Sequence, residues 1–143
     1  MPNYAIYELL EYNEQYLEPI NALLSQLSST PHILGERELR AIVDAVDTHL
    51  FLLECSGKVC GMLTLCGYLA PTGYKQWIED VVVDKEMRGN SFGRRLVEYA
   101  IEEAKKVGGT LMLTSRPGRV AANALYLSAG FEPRETNVYR MKL

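Results

Sequence analysis

The stretch from Trp77 to Thr114 constrains the fold most. Trp77 to Val83 is an apolar run interrupted only by Glu79 and Asp80, and it reads as a strand. Phe92 to Val107 is an amphipathic helix: Leu96, Tyr99, Ala100, Ala104 and Val107 are expected to face a core, and Arg94, Arg95, Glu98, Glu102 and Lys106 to face water. Gly108-Gly109 ends it, because glycine tolerates the left-handed cap. Thr110 to Thr114 is a second short strand. Strand, helix and strand in this order form a crossover unit, so the two strands are expected to lie parallel in one sheet.

The rest of the chain supplies antiparallel pieces. Ala5 to Leu10 is a candidate strand, and Glu14 to Leu27 and Glu36 to Val46 carry apolar residues at helical spacing. Ser28-Ser-Thr-Pro31 closes the first of these helices. Leu50 to Glu54 and Val59 to Leu69 flank Ser56-Gly57-Lys58 and read as a hairpin, and Pro71-Thr-Gly73 is a further turn. Val120 to Ala129 is a last helix stopped by Gly130, and Val138 to Met141 a last strand. The expected architecture is α/β (α+β by some schemes). It has a mixed, mostly antiparallel central sheet of six or seven strands, about four flanking helices and one βαβ half. At 143 residues the chain is expected to form a single domain, 1–143.

Composition removes several function classes. The net charge of -3 gives no electrostatic reason to expect nucleic acid or an anionic membrane. No apolar run approaches the roughly 18 residues of a membrane span. The first ten residues contain Glu8 and no basic stretch, so a secretory signal is not expected. Cys55, Cys60 and Cys66 form no CxxC, and His32 and His49 have no partners at ligand spacing, so no metal is expected. Unpaired thiols in an apolar stretch suit a reducing, cytoplasmic setting.

Chemistry concentrates in the loop ahead of the long helix. Arg88-Gly-Asn-Ser-Phe-Gly93 puts glycines at a helix N-terminus, where free N–H groups can approach a phosphate, and Arg88 and Arg94 add positive charge. An ordinary strand-to-helix turn with solvated arginines has the same local pattern.

Two segments together go further. Ile78-Glu-Asp-Val-Val-Val-Asp84 with Arg88-Gly-Asn-Ser-Phe-Gly-Arg-Arg-Leu96 resembles the Arg/Gln-x-x-Gly-x-Gly/Ala signature of the GNAT superfamily of N-acetyltransferases. Ala121-Ala-Asn-Ala-Leu-Tyr-Leu-Ser-Ala-Gly-Phe131 resembles its second signature, Leu-Tyr-x-x-x-Gly-Phe on the last helix. The resemblance implies acetyl-CoA as cosubstrate. It implies contacts from Val81, Val82 and Val83 to the pantetheine arm, and from Arg88, Gly89, Asn90, Ser91, Phe92, Gly93 and Arg94 to the phosphates. Ser91 replaces the first loop glycine, adding a Cβ but also a hydroxyl free to cap the helix or donate to a phosphate. Arg119 stands where many members carry asparagine, and Asn123 is the candidate replacement.

The implied reaction is transfer of an acetyl group to the primary amine of a small molecule. Tyr126 is the candidate general acid, and Glu79 the candidate general base. The run Ile78-Glu-Asp-Val is similar to that of glucosamine-6-phosphate N-acetyltransferases, where the matching glutamate is a proposed base. Strand alternation places Asp80 on the opposite face from Glu79. The region of His32 often lines the acceptor pocket in this family, although simple surface exposure fits His32 as well. Protein or peptide N-acetylation and a non-catalytic acetyl-CoA-binding module stay open as alternatives, as does a homodimer.

Overall fold

Apolar residues in the first two-thirds of the chain alternate along strands and recur at helical spacing between them, so each element has one face to bury. The computed structural model describes residues 2–143. They form two compact units, one reaching to Leu113 and one of Thr114–Leu143.

The first unit is a five-stranded sheet in the order β1-β2-β3-β4-β5 with helices on both faces. The strands are β1 (Tyr4–Glu8), β2 (Thr48–Cys55), β3 (Lys58–Ala70), β4 (Gly73–Val83) and β5 (Thr110–Met112), and the helices are α1 (Leu17–Leu27), α2 (Glu36–Asp44) and α3 (Phe92–Val107). β1 to β4 pair antiparallel, joined after β2 and β3 by two-residue turns. In the β2–β3 turn both Ser56 and Gly57 have positive φ, at 53° and 76°, which matches the twist of a tight hairpin. β5 pairs parallel with β4, Lys75 opposite Thr110 and Trp77 opposite Met112, so the expected crossover is present.

Side-chain alternation sorts the core into two layers. Leu50, Leu52 and Met62 join Leu9, Ile20, Leu23, Leu34 and Leu39 under α1 and α2. Phe51, between them on β2, stacks its ring edge-on against Tyr99 of α3 with centroids 5.1 Å apart. Gly61 leaves room for Leu96, whose Cδ1 would stand 3.1 Å from a Cβ there. α3 buries Phe92, Leu96, Val97, Ala100 and Ala104. Val107, expected in that face, is 63% exposed, because it falls on the last residue of the helix where the stripe has turned off the sheet.

Buried Gln76 joins the strand to the helix. Its Nε2 donates to the carbonyl oxygens of Ala104 (3.0 Å) and Gly108 (2.9 Å), so a β4 side chain caps the C-terminus of α3. Gly109 is required beside it: φ is 88°, and a Cβ would lie 2.2 Å from the Tyr74 carbonyl oxygen.

The second unit contains α4 (Val120–Ser128). Gly130, at φ 108°, closes it: Phe131 N–H donates to Tyr126 C=O (3.0 Å) and Gly130 N–H to Leu127 C=O (3.1 Å), the paired bonds of a left-handed cap. The strand expected at Val138 to Met141 does not form. Val138, Tyr139 and Met141 are 72%, 88% and 81% exposed, and no ladder partner is assigned to them among the described residues. An alternating segment without a partner has no reason to become a strand. The sheet accordingly has five strands rather than six or seven.

Candidate functional site

β4 carries an irregularity where the two acids stand. Its register to β3 runs Ile78 opposite Leu65 and Glu79 opposite Thr64, then shifts to Val82 opposite Met62. One more residue of β4 than of β3 lies in the gap, which makes a β-bulge. Asp80 takes the strain of it, with φ at 51° in the left-handed region. The bulge reverses the parity of the strand, and Val82 joins the core layer beneath α1 and α2 with Met62. Asp80 therefore lines the cavity on that same side together with Thr64, the partner of Glu79. The expectation that Asp80 points away from Glu79 is corrected, since simple alternation fails across a bulge.

Both Glu79 and Asp80 are exposed. Partial burial of the Glu79 carboxyl, with the charge of Asp80 added, raises its pKa above the ordinary carboxylate value. Burial and these same two acids also raise the pKa of the Cys66 thiol.

Beyond Trp77, β4 loses its neighbour. Pairing to β5 covers only Lys75 to Trp77, so along Ile78–Val83 no strand is assigned to the β5 side among the described residues. Alternate peptide groups of Val81, Val82 and Val83 face that open edge. The Val82 side chain is itself buried, leaving its backbone as what it can offer a ligand.

The strand then enters the loop before α3. Asp84 caps a 3-10 turn, Lys85–Met87, by accepting from Glu86 N–H at 3.1 Å. Asn90 Nδ2 donates to Met87 C=O at 3.0 Å and holds the loop closed. Gly89 and Ser91 both adopt positive φ, 89° and 61°. Ser91 is the N-cap of α3, and its side chain makes no capping hydrogen bond, contrary to one expectation from the sequence. A serine held in the left-handed region has non-standard cap geometry, so its hydroxyl is not directed at the first turn. The first helical bond of α3 is Arg95 N–H to Ser91 C=O (3.0 Å), so the N–H groups ahead of it point into the loop. Arg88 is exposed at its mouth. Phe92 is 1% exposed and packs on Tyr4 (centroids 5.4 Å), so it anchors the loop and only its backbone is available to a phosphate. Arg94 stands 3.8 Å from Glu98 on the helix surface.

On the face opposite α3, a cavity of about 340 Å³ lies between α1, the segment after it, α2 and the sheet. Ile20, Leu24, Leu27, Ile42, Leu50 and Met62 supply its apolar wall. Ser28, Thr30, His32, Thr64 and Asp80 supply its polar groups. His32 is held by Glu38, Nε2 to Oε2 at 2.6 Å, and Glu38 also accepts from Gly35 N–H at the start of α2. These two contacts hold the Glu38 pKa below its ordinary value. The cavity itself was not legible in the sequence. His32 and Asp80 were the lining residues singled out there, neither of them marking a cavity, and the apolar lining merges with the helical core stripe.

In the second unit, Tyr126 is buried and its ring meets Phe131 edge-on with centroids 6.1 Å apart. Burial raises its pKa, against a smaller opposite effect of Arg119, so the phenol stays protonated at neutral pH. The Tyr-x-x-x-Gly-Phe spacing thus has a structural cause: Gly130 turns the chain so that Phe131 folds back on Tyr126. Asn123 Nδ2 donates to the Arg116 and Pro117 carbonyls at 3.0 and 3.5 Å, which leaves Oδ1 as its free group for a ligand. Ser115, missed in the sequence, has a buried Oγ that makes no hydrogen bond.

A model of the acetyltransferase (GNAT) family matches residues 10–131. The chain belongs to that family. It is 32% identical over 95 residues to a glucosamine 6-phosphate N-acetyltransferase of Arabidopsis thaliana, a match that covers 60% of this chain and 64% of that relative. Among solved structures, a transcriptional regulator from Bacillus halodurans C-125 superposes with a TM-score of 0.82 at 25% identity, covering 99% of this chain and 100% of that one. Glucosamine-6-phosphate N-acetyltransferase from Arabidopsis thaliana superposes with a TM-score of 0.81 at 22% identity, covering 97% and 98%. The motifs of residues 78–96 and 121–131 and the mixed sheet agree with this assignment. No helix among the described residues is long and apolar enough to cross a membrane.

Proposed function

We propose that this protein transfers the acetyl group of acetyl-CoA to the primary amine of a small molecule. The observation that carries the reading is the juxtaposition on one strand. The open edge of β4 at Val81–Val83 runs directly into a loop whose N–H groups precede α3. An extended amide chain can pair with the first, and a pyrophosphate can sit on the second. Arg88, Gly89, Asn90, Ser91, Phe92, Gly93 and Arg94 are the proposed phosphate contacts, and Asn123 is a further proposed cofactor contact, its Oδ1 able to accept from an amide N–H.

In the reaction the ammonium first loses a proton to become a neutral amine, its nitrogen attacks the thioester carbonyl carbon, the C–S bond breaks, a second proton leaves nitrogen, and one proton reaches sulfur. Glu79 is the proposed base. Its raised pKa favours taking a proton from an ammonium near neutral pH, directly or through water. Tyr126 is the proposed acid, a protonated phenol able to supply the departing sulfur. A backbone N–H of the Val81–Val83 stretch is the proposed donor to the carbonyl oxygen as charge builds there. Direct attack is favoured over an acyl-cysteine route, because burial, Glu79 and Asp80 keep the Cys66 thiol protonated. The cavity of about 340 Å³ supports a small acceptor over a protein side chain.

Calorimetry with acetyl-CoA tests the binding half, and an amine screen read by thiol release tests the chemistry. Wild type is expected to bind and turn over. Gly93→Asp is expected to bind at least about tenfold more weakly with its fold intact, since a carboxylate would stand at a phosphate site. Equal affinity in that variant sinks the site. Binding without turnover on any amine leaves a non-catalytic binding module.

A further inference from the structure

The lining of the cavity specifies the acceptor more narrowly than a primary amine. We infer that it takes an ammonium carried on an apolar skeleton, an alkylamine or arylalkylamine, with Asp80 holding the charged end. The inference rests on the acetyl-transfer reading and deepens it.

Most of the wall is hydrocarbon, with leucines and isoleucine from α1, Ile42 from α2, and Leu50 and Met62 from the sheet. Burying a hydrocarbon body there is favourable, and burying sugar hydroxyls without partners is costly. The polar groups gather at few points. Thr64 and Asp80 stand on neighbouring strands, and Glu79 is the Cα partner of Thr64. The bulge puts Asp80 on the cavity side and costs the chain a left-handed residue to do so. An amine arrives as an ammonium, and a carboxylate beside the base is what would hold it.

The charge balance also argues against an anionic acceptor. Neither lysine nor arginine lines the cavity among the described residues. His32 is the basic side chain there, and its Nε2 is engaged by Glu38 at 2.6 Å. A sugar phosphate would bring a phosphate dianion next to Asp80 and Glu79 with no cation to meet it. The lining therefore gives no support to glucosamine 6-phosphate, the compound in the family relative's name, as this chain's acceptor.

The test is a homologous series, from propylamine to hexylamine, with 2-phenylethylamine and glucosamine 6-phosphate alongside. Each is assayed with acetyl-CoA and, separately, by calorimetry with CoA present. Expected kcat/KM rises about 3- to 4-fold per methylene until the cavity is full, the fold-change of burying one methylene. Glucosamine 6-phosphate is expected at least about 100-fold below hexylamine. Asp80→Asn, which keeps a residue tolerant of the left-handed region, is expected to raise KM for hexylamine about tenfold or more with acetyl-CoA affinity unchanged. Leu24→Gln is expected to flatten the series and Leu24→Met to restore it. A flat wild-type series or a preference for the sugar phosphate overturns the inference. If no amine is acetylated at all, the failure lies with the acetyl-transfer reading, and calorimetry decides the acceptor class alone. Hexylamine binding lost in Asp80→Asn supports it, and no hexylamine binding to wild type overturns it.

Discussion

Ser91 and Asp80 adopt left-handed φ, 61° and 51°, which for a residue with a Cβ costs about 1–2 kcal/mol each. Both flank the proposed reaction path, one at the phosphate loop and one at the acceptor cavity, which is where such strain is usually retained. Their cost is set beside a third, at Glu79. The folded chain raises the pKa of Glu79, so it prefers the neutral acid. Stability from this group is full below its unfolded pKa and falls as pH rises through the folded value. Glu79→Gln is therefore expected to raise Tm at pH 8 by up to a few °C and to leave it unchanged near pH 3, as read by thermal unfolding at both pH values. The same variant is expected to lose turnover at neutral pH and regain it toward pH 10, where the amine deprotonates unaided. Tyr126→Phe is expected to fall by about 10- to 10⁴-fold without that recovery, because the lost proton is needed at the other end of the reaction. A pH–rate profile of both variants with an amine that wild type accepts separates the two. Parallel profiles would deny them separate roles. Of these residues, the sequence alone pointed to Glu79, Ser91 and Tyr126. It misplaced Asp80, because a bulge adds a residue without any glycine to mark it in Ile78-Glu-Asp-Val-Val-Val83.

At the scale of elements, α3 (Phe92–Val107) was legible to the residue and the end of the chain was not. The helix has an unbroken apolar stripe, basic residues in its last turn and two glycines after it, so propensity, pattern and capping agree. Val138 to Met141 has alternation only, and alternation requires a partner strand that the sequence cannot display. The partner relation that matters most was also hidden. Gln76 reads as one polar residue before an apolar run, yet it is buried, and its amide satisfies two carbonyls at the end of α3. Gln76→Leu removes both bonds: Ala104 C=O keeps the Gly108 N–H at 2.9 Å, and Gly108 C=O loses its side-chain donor. It is expected to cost about 2–3 kcal/mol in urea unfolding, the sum for two bonds of which one is fully buried. A loss under about 0.5 kcal/mol would mean that water replaces the amide.

At the scale of the molecule, one order of events in the chain produces both halves of the proposed chemistry. The hairpins β2–β3 and β3–β4 deliver an antiparallel platform, and the crossover through α3 returns β5 beside the start of β4 only. Because β5 stops at Met112, the strand that carries Glu79 also carries the unpaired edge. The loop to α3 must follow it at once. Length and apolar content made the mixed sheet readable. The short β5 was not, since Thr110 to Thr114 looks like a longer strand until its pairing is known. Apart from Asn123, the proposed cosubstrate contacts thus draw on β4, the following loop and α3, which belong to one compact unit. Binding there is expected to stabilise that core as a whole. At acetyl-CoA about 100-fold above Kd, linkage adds about 2.7 kcal/mol, and for a chain of 143 residues that is a Tm rise of about 9 °C if it unfolds in one step. S-acetylpantetheine keeps the thioester and the amide arm but lacks the pyrophosphate. It is expected to give less than half that rise at the same concentration, because the loop N–H groups and Arg88 then have nothing to hold. Differential scanning fluorimetry of wild type with both compounds measures this. Equal shifts from the two would place the binding energy on the β4 edge and deny the loop its role. No shift from acetyl-CoA at any concentration would remove the cosubstrate from this chain.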